Sequence, residues 1–210
     1  MAVPTKIVGL SGASLGAAGL GGYAVYSHTQ SGNQKEETSY KSKLSHALLK
    51  LSGNDHQTQW GKRLASLKKV SDENTLVEGL KALKKKSPEA TWSEVQTWCR
   101  ENVEGKFTDE SELKFQNLRT YCVFSISEKI PKVIASTVAH SDQKWTTTFS
   151  SFGNYAGKLS SEFNTLKSGG DKSAQKLKEL CVKYYDKPFL SEEDEEFQSV
   201  KGVCVSTEQG

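Results

Sequence analysis

The sequence predicts a mainly α-helical chain: an N-terminal transmembrane helix or signal anchor followed by two diverged tandem helical modules. Three observations carry that expectation. A run of twenty residues near the N-terminus holds no charge. Beyond it, apolar residues recur at helical spacing, three and four apart. And a segment framed by two cysteines occurs twice, with the same spacing.

The uncharged run covers residues 7–26, IVGLSGASLGAAGLGGYAVY, opening at Ile7 and closing at Tyr26. Twenty helical residues span about 30 Å, the hydrocarbon thickness of a bilayer. Lys6 precedes the run, and Tyr23 and Tyr26 stand at its far end, where amphipathic rings favour the interface. Gly12 and Gly16 form a GxxxG pair that would let a second helix approach closely. Three readings fit the run: an uncleaved anchor, a cleaved signal peptide, and a flexible or buried soluble segment. The run is long for the core of a signal peptide, which favours an uncleaved anchor; Gly22 and Ala24 offer the small residues that a cleavage site needs. Gly19, Gly21, Gly22 and Ala24 also trace a dinucleotide-like fingerprint. No strand can precede it, and Glu36 and Glu37 arrive too early for the ribose contact, so it predicts no nucleotide site. Residues 1–26 are read as the anchor or signal segment. Residues 27–39, all polar or small, are read as a linker, because they cannot bury a core.

Cys99 and Cys122 lie at the same separation as Cys181 and Cys204. Laying residues 99–123 over residues 181–205 without a gap matches Cys99, Phe107, Glu110, Phe115, Gln116, Cys122 and Val123 with Cys181, Phe189, Glu192, Phe197, Gln198, Cys204 and Val205. Upstream, Trp60 corresponds to Trp145. The expected modules are residues 40–123 and 124–210, each a bundle of about four helices.

In the first module, Leu44, Leu48 and Leu51 are expected on one helix face. Asp55 precedes a helix bearing Trp60, Leu64 and Leu67, and Ser71 one bearing Leu76, Leu80 and Leu83. Ser87-Pro88-Glu89 reads as the start of a helix carrying Trp92, Val95 and Cys99, because proline fits the first helical position. Thr108 or Asp109 starts the helix that leads to Cys122, and Trp98 is expected partly exposed. In the second module, Asp142 opens a helix with Trp145, Phe149 and Phe152. Leu159, Phe163 and Leu166 form the next, stopped by Gly169-Gly170. Ser173 opens a helix through Leu177, Leu180 and Cys181, and the acidic Ser191–Asp194 stretch resembles a capping box and is read as a helix start rather than a metal site. Residues 125–140, rich in β-branched side chains, fit helix or extended chain equally.

The shared spacing suggests disulfides Cys99–Cys122 and Cys181–Cys204, although four cysteines allow three pairings. Four buried thiols, or a zinc site, are the alternatives. Against zinc, there is no CxxC, and His28, His46, His56 and His140 keep no ligand spacing with the cysteines. No phosphate loop, HExxH or GxSxG motif occurs, so neither a catalytic site nor a cofactor is expected. The net charge of +3 is too small to argue a nucleic-acid partner. Lys81, Lys84, Lys85 and Lys86 make a basic cluster, with Lys62, Arg63, Lys68 and Lys69 near in sequence. It is either a solvated face or a patch for an anionic partner of a cytoplasm-facing adaptor.

The opening MAVPTK with its Gly/Ala-rich run ending GGYAVY, and the later WCRENVEGKF and CV, resemble the large paralogous families of uncharacterised membrane and surface proteins in haemotropic mycoplasmas. The resemblance is close over the N-terminal run and looser over the cysteine modules. It implies a wall-less bacterial parasite, export across its single membrane and a surface or antigenic role. It implies no activity and brings no functional residues. The reading that follows is a membrane-anchored protein with its folded part outside the cell, or a secreted one if the segment is cleaved, which binds and does not catalyse.

Overall fold

Short polar side chains set the start of several helices in the computed structural model, which describes residues 38–206. Ser39 accepts a hydrogen bond from the Ser42 N–H and opens α1, Tyr40–Leu44. Asp142 accepts from Lys144 N–H before α6, Gln143–Phe152, and Ser173 from Lys176 N–H before α8, Ala174–Tyr185. Asp194 accepts from both Glu196 and Phe197 N–H and opens α9, Glu195–Val203. Each satisfies a donor that the first helical turn cannot. The other helices are α2, Gln57–Lys69; α3, Glu78–Lys85; α4, Trp92–Asn102; α5, Leu113–Tyr121; and α7, Ser161–Ser168, ending at Gly169. Two 3-10 turns, Glu73–Thr75 and Ile126–Lys129, complete the regular structure. Among the described residues there is no strand, only four isolated antiparallel bridges, and the fold is mainly α.

Several first-half elements differ from expectation. The helix placed at Ser87-Pro88-Glu89 begins instead at Trp92, where the Glu94 carboxylate accepts the Thr91 backbone N–H at 2.9 Å. That reciprocal cap outweighs the proline signal upstream. Leu44, Leu48 and Leu51 do not share a helix: α1 stops at Leu44, and Leu48 bridges to Val123. Asp72, not Ser71, caps the 3-10 turn, and α3 waits until Glu78. His56 rather than Asp55 precedes α2, and α5 starts at Leu113, after a turn in which Asp109 accepts from Ser111 N–H. Trp98, expected partly exposed, is 8% exposed. Residues 125–140 form no α-helix: they hold the 3-10 turn and two isolated bridges, Ser125 to Pro188 and Val133 to Val205.

Several contacts of residues 38–123 have counterparts in residues 124–206. Tyr40 N–H donates to Gly105 O at 3.0 Å, and Ile126 N–H to Lys187 O at 2.9 Å. Leu49 N–H donates to Cys122 O at 2.9 Å, and Ile134 N–H to Cys204 O at 3.0 Å. Phe107 and Phe115 meet edge to face at 4.8 Å, and Phe189 and Phe197 at 4.9 Å. The residue before α3, Val77, gives its N–H to Asn117 Oδ1, and the residue before α7, Ser160, gives its N–H to Ser199 Oγ, both at 2.8 Å. Trp60 and Trp145 are both fully buried. The phenylalanines, tryptophans and cysteines shared by the two segments thus hold the same kinds of place.

One continuous apolar core runs through both halves, from Tyr40 and Leu44 to Val203 and Cys204. The halves meet at residues 123–125, where Val123 bridges back to Leu48 and Ser125 forward to Pro188. Arg63 on α2 gives two hydrogen bonds to Val123 O, from Nε at 3.1 Å and Nη2 at 2.8 Å.

Candidate functional site

The sequence-marked residues fall in three places. Ile7, Gly12, Gly16 and Tyr26 lie outside the described residues. Among the described residues, no helix is long and apolar enough to cross a membrane. The four cysteines form two disulfides, Cys99–Cys122 with Cα atoms 5.6 Å apart and Cys181–Cys204 at 5.8 Å. The first ties α4 to the end of α5, and the second ties α8 to the end of α9. All four sulfurs belong to fully buried residues. Such closures restrict the unfolded chain and so stabilise a small core.

The lysine cluster is not a free basic face. Lys81 pairs with Glu78 at 2.6 Å, and Lys84 and Lys85 share Glu73 at 2.9 and 2.5 Å. Lys86 pairs with Glu94. The pairing shows in the acids: Lys85 first, then Lys84, holds the Glu73 carboxyl below the usual carboxylate range, and Lys86 does the same for Glu94. These pairs lie at the surface, with each side chain partly or fully exposed, so each adds little stability. Their consequence is to offset the positive field that an anionic partner would need. Lys68 is also engaged, giving its ammonium to Lys84 O at 2.8 Å at the end of α3, where a cation suits the helix dipole.

A groove lies between α7 and α8, with a volume of about 690 Å³, in the range of ligand pockets. Leu166 and Leu180, both half-buried, line it, and Glu162, Glu179, Lys176 and Lys183 stand around it. Lys183 Nζ reaches Glu162 Oε1 and Oε2 at 2.8 and 2.6 Å across the two helices. Lys183 is the main reason the Glu162 carboxyl sits below its ordinary value, and Glu162 the main reason Lys183 sits above its own. Lys176 pairs with Asp171, while Glu179 accepts the Gln175 amide at 2.9 Å. The groove has an apolar floor and a charged rim, in which Glu162 is held by Lys183 and Asp171 by Lys176.

Sequence reasoning did not find this groove. The signal was one position beyond the overlaid segments: extending the ungapped match back from Cys99 and Cys181 sets Trp98 against Leu180. No family model, curated protein or solved structure matches the chain.

Proposed function

We propose that this chain is an exported or membrane-anchored protein whose folded part lies outside the cell and acts by binding, not by catalysis. In this reading, residues 7–26 are the anchor, or a signal segment that is removed. Residues 40–123 and 124–210 are diverged tandem copies of one disulfide-pinned helical unit.

The observation that carries the reading is the pair of buried disulfides at matching places, with no free cysteine among the described residues. Disulfides persist in oxidising compartments. The recurring backbone bonds and ring pairs support the duplication, and the charge-free run of residues 7–26 supports the membrane route. The resemblance of the N-terminus to surface families of haemotropic mycoplasmas points the same way. The paired lysines speak against the alternative, a cytoplasmic adaptor with a basic face.

The test is a thiol count on protein taken from its native cells, alkylated before and after reduction. The expected result is no thiol alkylated before reduction and two peptide pairs, Cys99 with Cys122 and Cys181 with Cys204. Four thiols free before reduction would overturn the outward-facing reading.

A further inference from the structure

We propose that the α7–α8 groove is a receptor for a tryptophan side chain, flanked by a basic residue, on a protein partner. The inference rests on the tandem reading and deepens it by naming the site and its occupant.

The two halves set the frame. α3 and α7 each have eight residues, and each follows a residue whose N–H is held by a side chain from α5 or α9. Leu80 and Phe163 are their fully buried members, and Leu83 and Leu166 their half-buried ones. α4 and α8 are aligned by Cys99 and Cys181, with Val95 and Leu177 fully buried four residues earlier. Gly79 therefore corresponds to Glu162, and Trp98 to Leu180.

In the first half, this space is full. The Trp98 indole lies across Gly79 so closely that a Cβ there would stand 2.7 Å from Nε1 and 2.9 Å from Cδ1. In the second half, leucine replaces the tryptophan. Glu162 replaces the glycine, and its carboxylate is held by Lys183 at the groove's mouth. The cavity is where an indole belongs in this unit, and the chain's own indole is missing. An aromatic ring from outside would regain the burial, and its planar face suits a slot between two helices.

Charge selects the neighbour of that ring. Two of the rim acids are matched internally, Glu162 by Lys183 and Asp171 by Lys176. Among the described residues, the hydrogen-bond partner of Glu179 is the neutral Gln175 amide. The rim keeps one net negative charge, which complements a lysine or arginine beside the inserted ring.

The test uses the full oxidised chain and a dye-labelled lysine-tryptophan-lysine peptide, read by fluorescence polarisation. N-acetyl-tryptophanamide serves as competitor, and the same peptide with leucine at its centre as control. Saturable binding, displaced by the competitor and weaker for the leucine peptide, is expected. Glu162→Gly with Leu180→Trp rebuilds the first-half packing and closes the groove, weakening binding by about tenfold or more. Glu179→Lys, at an exposed position, weakens the basic peptide several-fold at low salt and leaves the neutral competitor unchanged. No saturation at millimolar peptide overturns the proposal, as does equal affinity for the leucine peptide. Undiminished binding in the filled variant, with near-ultraviolet dichroism showing it folded, overturns it too. Disulfide mapping of the same sample reads the outward-facing proposal separately, so intact pairs without binding overturn the groove alone.

Discussion

Arg63 and Glu128 form a buried ion pair across the junction of the two halves, at 2.5 Å, with side chains 9% and 4% exposed. The same guanidinium holds Val123 O, and the same carboxylate accepts the Ser125 N–H at 2.9 Å. Thr148 stands three residues after Trp145 as Arg63 stands three after Trp60, and its hydroxyl donates to Val205 O at 3.4 Å. Arginine therefore does two things at the junction: it satisfies a carbonyl, as Thr148 does, and it fixes the turn that begins the second half.

Replacing Arg63 with methionine should leave Glu128 buried with only the more distant Lys62, 3.4 Å away, for a cation. Near neutral pH the loss is about 3–5 kcal/mol in urea unfolding, the usual result of stranding one buried charge. The pH dependence follows from Glu128. Burial pushes its carboxyl up, but the Ser125 N–H and Arg63 outweigh burial, so it lies below the ordinary value. A lowered folded value gives stability that is present above the ordinary carboxylate range and lost as pH falls through the folded value. Without Arg63 burial dominates, the carboxyl takes a proton more readily, and the cost of the substitution shrinks on acidification. A cost that stays flat between neutral pH and the carboxylate range contradicts this.

Trp60 and Trp145 are equally buried but not equally bonded. Trp60 Nε1 donates to Lys50 O at 3.3 Å, whereas Trp145 Nε1 is buried with no hydrogen-bond partner among the described residues. Tryptophan-to-phenylalanine exchange should therefore cost less at Trp145 than at Trp60, by about 1 kcal/mol, the net worth of an ordinary hydrogen bond. Denaturant midpoints of the two variants, compared at equal slope, measure the difference. A larger loss at Trp145 contradicts the assignment.

Local signals were legible in the sequence. Asp142 and Ser173 cap helices because each has a short acceptor followed by an apolar run, and the cysteine spacing carried the pairing. The Ser191–Asp194 stretch marked the start of α9, but the capping oxygen is that of Asp194 at its end and not that of Ser191. What the sequence concealed depended on distant partners. Leu48 keeps helical spacing with Leu44, yet its backbone is tied to Val123, far along the chain. Trp98 looked exposed beside Cys99 until α3 brought Gly79 against it. The four lysines read as a patch because Glu73 and Glu94 fall on other elements in sequence and meet them only in the fold. The groove was hidden for a simpler reason: it marks a residue that is absent, and only a comparison of the halves reveals it.

Gly202 lies inside α9, where glycine ordinarily weakens a helix by about 1 kcal/mol relative to alanine. Here alanine should destabilise. A Cβ at Gly202 would stand 2.0 Å from the Tyr155 hydroxyl, and one at Gly157 2.3 Å from the same oxygen, so the phenol is clamped between two glycines. Gly202→Ala is expected to lower stability by about 1–3 kcal/mol through overpacking. Combining it with Tyr155→Ala should recover most of that cost in a double-mutant cycle. Additive losses in the cycle would show that the two residues do not interact.

Both disulfides close loops of the same separation, 23 residues, between the same pair of helices in each half. In the chain-entropy model, replacing either pair with alanines should cost about 3 kcal/mol, nearly equal for the two. The manner of unfolding says more than the size. If the halves were independent bundles, removing Cys181–Cys204 would melt the second and leave the first. The continuous core and the Arg63–Glu128 pair instead couple them, so either substitution should shift one cooperative transition. Among the described residues, Trp60, Trp92 and Trp98 report on the first half, and Trp145 on the second. In the Cys181→Ala, Cys204→Ala protein carrying Trp145→Phe, fluorescence should fall with the same midpoint as the helical circular dichroism. A fluorescence transition lagging behind the dichroism would mean the halves unfold separately, and that the junction does not couple them.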